Sequence, residues 1–137
     1  MVTGAPRILP WKNDAVTHHR EAKEMKIEGG CYCGEVRYSF EGEPGPAMQC
    51  HCRQCQYITG GNPNVFVMIP QSGLHFTQVE LNSFQRTDIE NAVTRHSCPS
   101  CGTAVGTTTS GAPGVFVTRV GTMDDAAFFQ ADMAIFY

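Results

Sequence analysis

Seven cysteines fall into three tight groups, and their spacing constrains this chain more than any other feature. The groups are Cys31-Tyr32-Cys33-Gly34, Cys50-His51-Cys52-Arg53-Gln54-Cys55 and Cys98-Pro99-Ser100-Cys101-Gly102. The last has the form of a metal knuckle. A Cys-x-x-Cys turn aims both sulfurs at one ion, Pro99 presets the turn, and Gly102 tolerates the positive φ that follows. Cys31 and Cys33 are two apart, so in extended backbone their side chains share a face. Each pair supplies two thiolates. A zinc ion held by Cys31, Cys33, Cys98 and Cys101 would pin distant parts of the domain together.

Cys50, Cys52 and Cys55 reach one ion without help from elsewhere in the fold. Zinc prefers four ligands, and three protein ligands leave the fourth position for water or substrate. His51 and His96 are the alternative fourth ligands; His51 is flanked by two cysteines, which is expected to point its ring away. Other readings of the seven cysteines stand beside this one. They are a single Cys₄ zinc with three unrelated buried thiols, iron–sulfur ligation, and a redox pair at Cys52 and Cys55, although no βαβ pattern surrounds that pair. Seven is odd, so full disulfide pairing within one chain is excluded.

At 137 residues the chain fits one domain, short enough to gain from a metal staple. A hydrophobic content of 42% with 17% charged residues makes it globular rather than disordered. The net charge is −3 and no Lys or Arg run occurs, which gives no footprint for nucleic acid or an anionic membrane. No secretory pattern and no apolar membrane span are read, so the expectation is a cytoplasmic protein, where clustered cysteines serve metals or redox chemistry.

Residues 1–25 read as an N-terminal extension and 26–137 as the zinc-binding domain. The adjacent His18 and His19 in the extension read as solvated. Period-two alternation predicts a strand over 35–40; apolar runs predict others at 64–69, 115–120 and 131–137. Short helical turns are expected near 51–57 and 124–129. The class is mainly β, with antiparallel sheets.

Three thiolates on zinc carry about one net negative charge, which weakens Lewis acidity. Such a site activates water poorly and suits a fourth thiolate. The residues therefore point to a small thiol as ligand or substrate.

Gly30-Cys31-Tyr32-Cys33-Gly34-Glu35-Val36-Arg37-Tyr38, Cys50-His51-Cys52-Arg53-Gln54-Cys55 with Thr59-Gly60-Gly61, Cys98-Pro99-Ser100-Cys101-Gly102-Thr103 and Gly121-Thr122-Met123-Asp124-Asp125 together resemble the glutathione-dependent formaldehyde-activating family. That family shares its domain with centromere protein V and has an Mss4-like fold. The resemblance implies a structural zinc on Cys31, Cys33, Cys98 and Cys101. It implies a second, catalytic zinc on Cys50, Cys52 and Cys55. The implied activity is condensation of formaldehyde with glutathione to S-hydroxymethylglutathione, in reverse a carbon–sulfur lyase reaction. His51, Gln54, Thr59 and His96 are candidates to assist proton transfer, Gly60-Gly61-Asn62 to let a tripeptide approach or simply to turn, and Arg37, Arg53 and Arg95 to grip carboxylates. The competing class is a non-catalytic, zinc-stabilised binding module.

Overall fold

The computed structural model describes residues 9–10, 24–77 and 79–136. In chain order the elements are β1 (Leu9–Pro10), β2 (Met25–Gly30), β3 (Arg37–Gly42), β4 (Ala47–Cys50), α1 (Arg53–Thr59), β5 (Asn64–Pro70), β6 (Leu74–Phe76), β7 (Asn82–Gln85), β8 (Thr94–Ser97), β9 (Ala104–Thr108), β10 (Val115–Arg119) and β11 (Met133–Ile135). They form an eight-stranded sheet in the order β1-β11-β4-β5-β10-β9-β8-β7 and a three-stranded sheet in the order β2-β3-β6. The mainly β class read from the sequence is what is found. Pairing is antiparallel throughout except between β4 and β11, which run parallel, because the chain returns to β4's open edge after crossing the sheet.

Alternation decides which face each strand buries. Tyr38 and Phe40 of β3 point inward with Ile27 of β2, while Val67 and Ile69 of β5, Val105 of β9 and Phe116 of β10 meet them from the larger sheet. Phe76 joins the layers: its ring lies 5.7 Å from Tyr38 and 5.4 Å from Phe116. Burying a side chain such as Phe40 contributes about 1.5–3 kcal/mol; the main core cluster lies between the sheets, and a smaller one gathers around Cys50, Cys55 and Phe66. Close approach requires glycine at two points. A Cβ on Gly106 would lie 2.4 Å from the Phe116 ring, and one on Gly29 would lie 2.3 Å from the Thr122 carbonyl oxygen.

The strand expected over 35–40 begins at Arg37, because residues 32–35 are spent turning the chain around Cys31 and Cys33. The helical turn expected near His51 is α1, displaced to Arg53–Thr59. Around 124–129 there is a single turn, closed by the Phe129 N–H on the Ala126 carbonyl at 2.9 Å, and no helix. Of the expected extension, Leu9–Pro10 pair with Ala134 and Met133 of β11; His18 and His19 lie outside the described residues. Among the described residues no helix is long and apolar enough to cross a membrane.

Candidate functional site

The β2–β3 loop and the β8–β9 turn bring four sulfurs together. Those of Cys31, Cys33, Cys98 and Cys101 all lie within 4.8 Å of one another, with Cys31–Cys33 at 3.4 Å and Cys33–Cys98 at 3.7 Å. A tetrahedral ion with metal–sulfur bonds of about 2.3 Å spaces its ligands about 3.8 Å apart, so this set can hold one. The backbone is shaped for it. The N–H groups of Ser100 and Cys101 donate to the Cys98 sulfur, both at 3.4 Å, and that of Val36 donates to Cys31 at 3.2 Å. Gly34 and Gly102 close the two turns with φ of +85° and +78°, the conformation in which glycine is least strained. The Thr103 hydroxyl lies 3.1 Å from the Cys101 sulfur and accepts the Tyr32 N–H, tying the two loops together. Thr103, by its hydroxyl and then its N–H, holds the Cys101 thiol down to about 5. At Cys33 the Glu35 N–H pulls the other way, but the sulfurs of Cys31, Cys101 and Cys98 push the thiol up to about 12. Four sulfurs this close ionise together only where a cation shares their charge.

The second cluster stands on the far side of the large sheet. Cys50 ends β4, Cys52 caps α1 and Cys55 lies in its first turn; their sulfurs also lie within 4.8 Å of one another. The Cys52 sulfur accepts the Cys55 N–H at 3.3 Å, taking the place an oxygen usually fills at a helix start. The Gln56 side-chain amide donates to the His51 carbonyl at 3.2 Å and fixes the entry to the helix. Cys50 is held from both sides, opposite Asn64 of β5 and Ile135 of β11. Its sulfur is a hydrogen-bond partner of Cys55, which drops the Cys55 thiol to about 6 against the effect of burial, with Cys52, Arg95 and Asn64 assisting. Cys50 is correspondingly pushed up, by Cys55 first and burial second.

Beside this cluster opens a cavity of about 350 Å³, lined by Tyr57, Ile58, Asn64, Arg95, Val117 and Arg119 among others. Strand register explains its composition. Val117 pairs with Met68 and Thr107, Thr107 with Arg95, and Arg95 with Phe84, so one row of side chains crosses the sheet on the face that carries Cys50. Arg119 lies two residues beyond Val117 and shares that face. Both arginines act electrostatically on Cys55.

The remaining candidates separate. His96 belongs to neither cluster: its Nε2 lies 2.9 Å from the Thr108 hydroxyl, its Nδ1 lies 3.1 Å from that of Ser83, and burial lowers its pKa. Its ring lies 5.4 Å from that of Phe116, and the residue also lines the cavity. His51 also contributes no ligand atom to the three-cysteine set. Arg37 is spent in a two-pronged ion pair with Asp124, and Arg53 lies 4.3 Å over the Tyr57 ring. The Thr59 hydroxyl donates to the Asn62 carbonyl. Gly60 caps α1 in the left-handed region, and open space surrounds Gly60 and Gly61, so that segment is a turn. Gln54 lines a neighbouring, more apolar cavity of about 230 Å³. Of the proposed carboxylate grips, Arg95 alone faces the cavity. Arg119 and Asn64 are among the cavity residues that sequence reasoning missed. Arg119 had a detectable signal, its two-residue offset from Val117 in a recognised strand.

No curated protein matches the chain. A family profile described as glutathione-dependent formaldehyde-activating enzyme matches residues 26–137, a span that contains every cysteine and every cavity residue above. The chain therefore belongs to the glutathione-dependent formaldehyde-activating enzyme family.

Proposed function

We propose that this protein is a zinc-dependent carbon–sulfur lyase that interconverts glutathione plus formaldehyde with S-hydroxymethylglutathione. The observation that carries the reading is a three-sulfur cluster beside a cationic cavity, on the opposite side of the sheet from a complete four-sulfur set. In this reading Cys31, Cys33, Cys98 and Cys101 hold a structural zinc, and Cys50, Cys52 and Cys55 hold a second.

Zinc bound by three thiolates would supply one open position at which a substrate thiol stays deprotonated at neutral pH. Cys50 and Cys55 are buried and Cys52 half-buried, so the protein keeps bulk water from most of the cluster. Arg95 and Arg119 offset the negative charge that gathers there, and Ile58 and Val117 supply an apolar wall. The reaction is a net addition. The thiol loses its proton, the sulfur–carbon bond forms as the carbonyl π pair moves to oxygen, and that oxygen gains a proton, so nothing is oxidised or reduced.

The test combines metal content with exchange kinetics. Zinc per chain is measured on protein purified without chelator and on Cys52→Ser, and formaldehyde–glutathione exchange is followed by NMR against the uncatalysed reaction. Two zincs falling to one, with acceleration lost and the fold retained, supports the reading. Two zincs with no acceleration in the unaltered protein sinks it in favour of a non-catalytic, thiol-binding or protein-binding module.

A further inference from the structure

The large sheet ends on β7, whose one neighbour among the described residues is β8. Sheet edges are commonly blunted by proline, lysine, a bulge or a covering loop. The opposite edge carries such a device, since Pro10 of β1 has no N–H to donate. β7 reads Asn82-Ser83-Phe84-Gln85, with every residue exposed and neither Pro nor Lys among them. A bare row of backbone donors and acceptors of this kind is a template for another strand.

Apolar surface gathers at the same place. Phe84 is 65% exposed. Three of the five large apolar side chains exposed among the described residues, Tyr57, Phe84 and Ile89, line the cavity of about 230 Å³ together with Ile58, Ala92 and Val93. Exposed apolar groups scattered singly need no explanation, but a cluster of them marks a contact surface. Charge flanks it on both sides. Arg86, just after β7, gives its Nε and Nη2 to Asp88 and leaves Nη1 for another acceptor. Glu80, two residues before β7, is exposed and has no ion-pair partner among the described residues.

These features are self-complementary. Two β7 strands paired antiparallel about a two-fold axis must match residues whose N–H and C=O groups face outward, and those recur at every second position. A residue therefore lies on the axis, not the bond between two residues. With Ser83 there, Phe84 opposes the partner's Asn82, and Glu80 opposes the partner's Arg86 at both ends of the ladder. With Phe84 there, Glu80 would instead meet the like charge of the partner's Asp88. With Asn82 there, it would meet the partner's Phe84. Charge thus selects the first register.

We propose that β7 is a self-association edge, on which a second copy of this chain adds its own β7 antiparallel, with Ser83 on the two-fold axis. The large sheets of the two copies become one. Phe84 lies diagonally beside the partner's Phe84, within aromatic reach, and the two apolar cavities open side by side on one face. The contact is small, so the dimer belongs to the transient, concentration-dependent class.

Sedimentation equilibrium of zinc-loaded, full-length protein tests this from about 5 μM to about 500 μM, a range wide enough to resolve a micromolar Kd. The mass should rise from one chain towards two and stop there, because a two-fold contact closes on itself. Glu80→Arg and Arg86→Glu each place like charges opposite one another twice, and each is expected to weaken the dimer by about fivefold or more. Mixed in equal amounts, the two variants should dimerise again, since each chain then supplies the charge the other lacks at both ends. Phe84→Lys should abolish association. Circular dichroism verifies the fold of each variant; where a charge variant is unfolded, the unaltered protein and Phe84→Lys decide. A monomer across the whole range overturns the proposal and leaves the edge to a strand of a different protein. So does a dimer that these substitutions leave intact, or one whose two charge variants fail to recover on mixing.

Discussion

Removing one oxygen atom from the core, by Tyr38→Phe, tests how the two sheets are joined. Tyr38 is 2% exposed, and its hydroxyl lies 2.7 Å from the Thr122 Oγ1. The Thr122 hydroxyl donates its one hydrogen to the Arg119 carbonyl, also at 2.7 Å, so Tyr38 must be the donor in the pair. The chain Tyr38–Thr122–Arg119 thus runs from the small sheet to the end of the strand that carries the cavity arginine. Phenylalanine keeps the ring against Phe76 and deletes the donor, leaving the buried Thr122 hydroxyl oxygen with no N–H or O–H to accept. A neutral hydrogen bond contributes about 1 kcal/mol and a bare buried acceptor costs about 1–3 kcal/mol, so the expected loss is about 1.5–2.5 kcal/mol. For a chain of this size that lowers Tm by about 5–10 °C. Urea unfolding of metal-loaded protein reads it directly. Thr122→Val should cost at least as much, and the double variant should fall short of additivity by about 1 kcal/mol.

Alkaline pH gives a second reading of the same bond. Burial pushes the Tyr38 phenol up to about 12, from an ordinary value of 10. The folded protein therefore favours the neutral form. Its contribution is complete below pH 10 and is lost as pH rises from 10 towards 12. The stability gap between the unaltered protein and Tyr38→Phe should narrow across that window. A gap below about 0.5 kcal/mol at neutral pH, or strict additivity with Thr122→Val, would refute the reasoning.

Three further perturbations probe neighbouring features. Gly29→Ala places a methyl group 2.3 Å from the Thr122 carbonyl oxygen and 2.4 Å from the Tyr38 hydroxyl, so urea unfolding should show a loss of more than about 2 kcal/mol; under half of that would mean the contact relaxes freely. Asp124→Asn breaks the pair that holds the Asp124 carboxyl below its usual range, but at 50% side-chain exposure solvent limits the cost to about 0.5–1 kcal/mol. The contribution is present above the ordinary carboxylate value and lost as pH falls through the lower folded one, so melting curves of the two proteins should converge in acid and in 1 M salt, to about the same limit. Cys98→Ser removes a buried sulfur that accepts two backbone N–H groups, and should abolish the chelator-sensitive part of the melting transition; an unchanged response to chelator would exclude a stabilising metal there.

Local chemistry made part of this molecule legible in its sequence. The cysteine partition depends on spacing within each group, and all seven thiols fall into the two expected sets. The apolar runs that became β5 and β10 were equally plain. β7 was not, because its residues are all exposed and its place is set by pairing with β8. Similarly, β8 is uniformly half-buried and shows no alternation. The cavity was illegible for a related reason. Arg95 and Arg119 are distant in sequence and come together through Thr107 and Val117, a relation set by register, which no local pattern encodes. His96 misled because histidine beside a cysteine knuckle suggests a ligand, while its actual partners are Thr108 and Ser83 on adjacent strands.

The four-sulfur cluster bears on the cavity through that register. Cys98 directly follows β8, and its N–H donates to the Thr103 carbonyl at 2.9 Å, closing the β8–β9 turn around the knuckle. Arg95 is three residues upstream. Because strand side chains alternate, a one-residue slip of β8 would turn the Arg95 side chain to the opposite face of the sheet, away from the row it shares with Thr107 and Val117. The knuckle demands one turn geometry and the Arg95–Thr107 pairing demands one register. The irregularity between His96 and Ser97, where Ser97 pairs with Ala104 instead of continuing the ladder from Gly106, reconciles the two. A metal held by Cys98 and Cys101 would therefore do more than stabilise the fold: by fixing the end of β8 it would hold the Arg95 side chain beside Cys55, on the other face of the sheet.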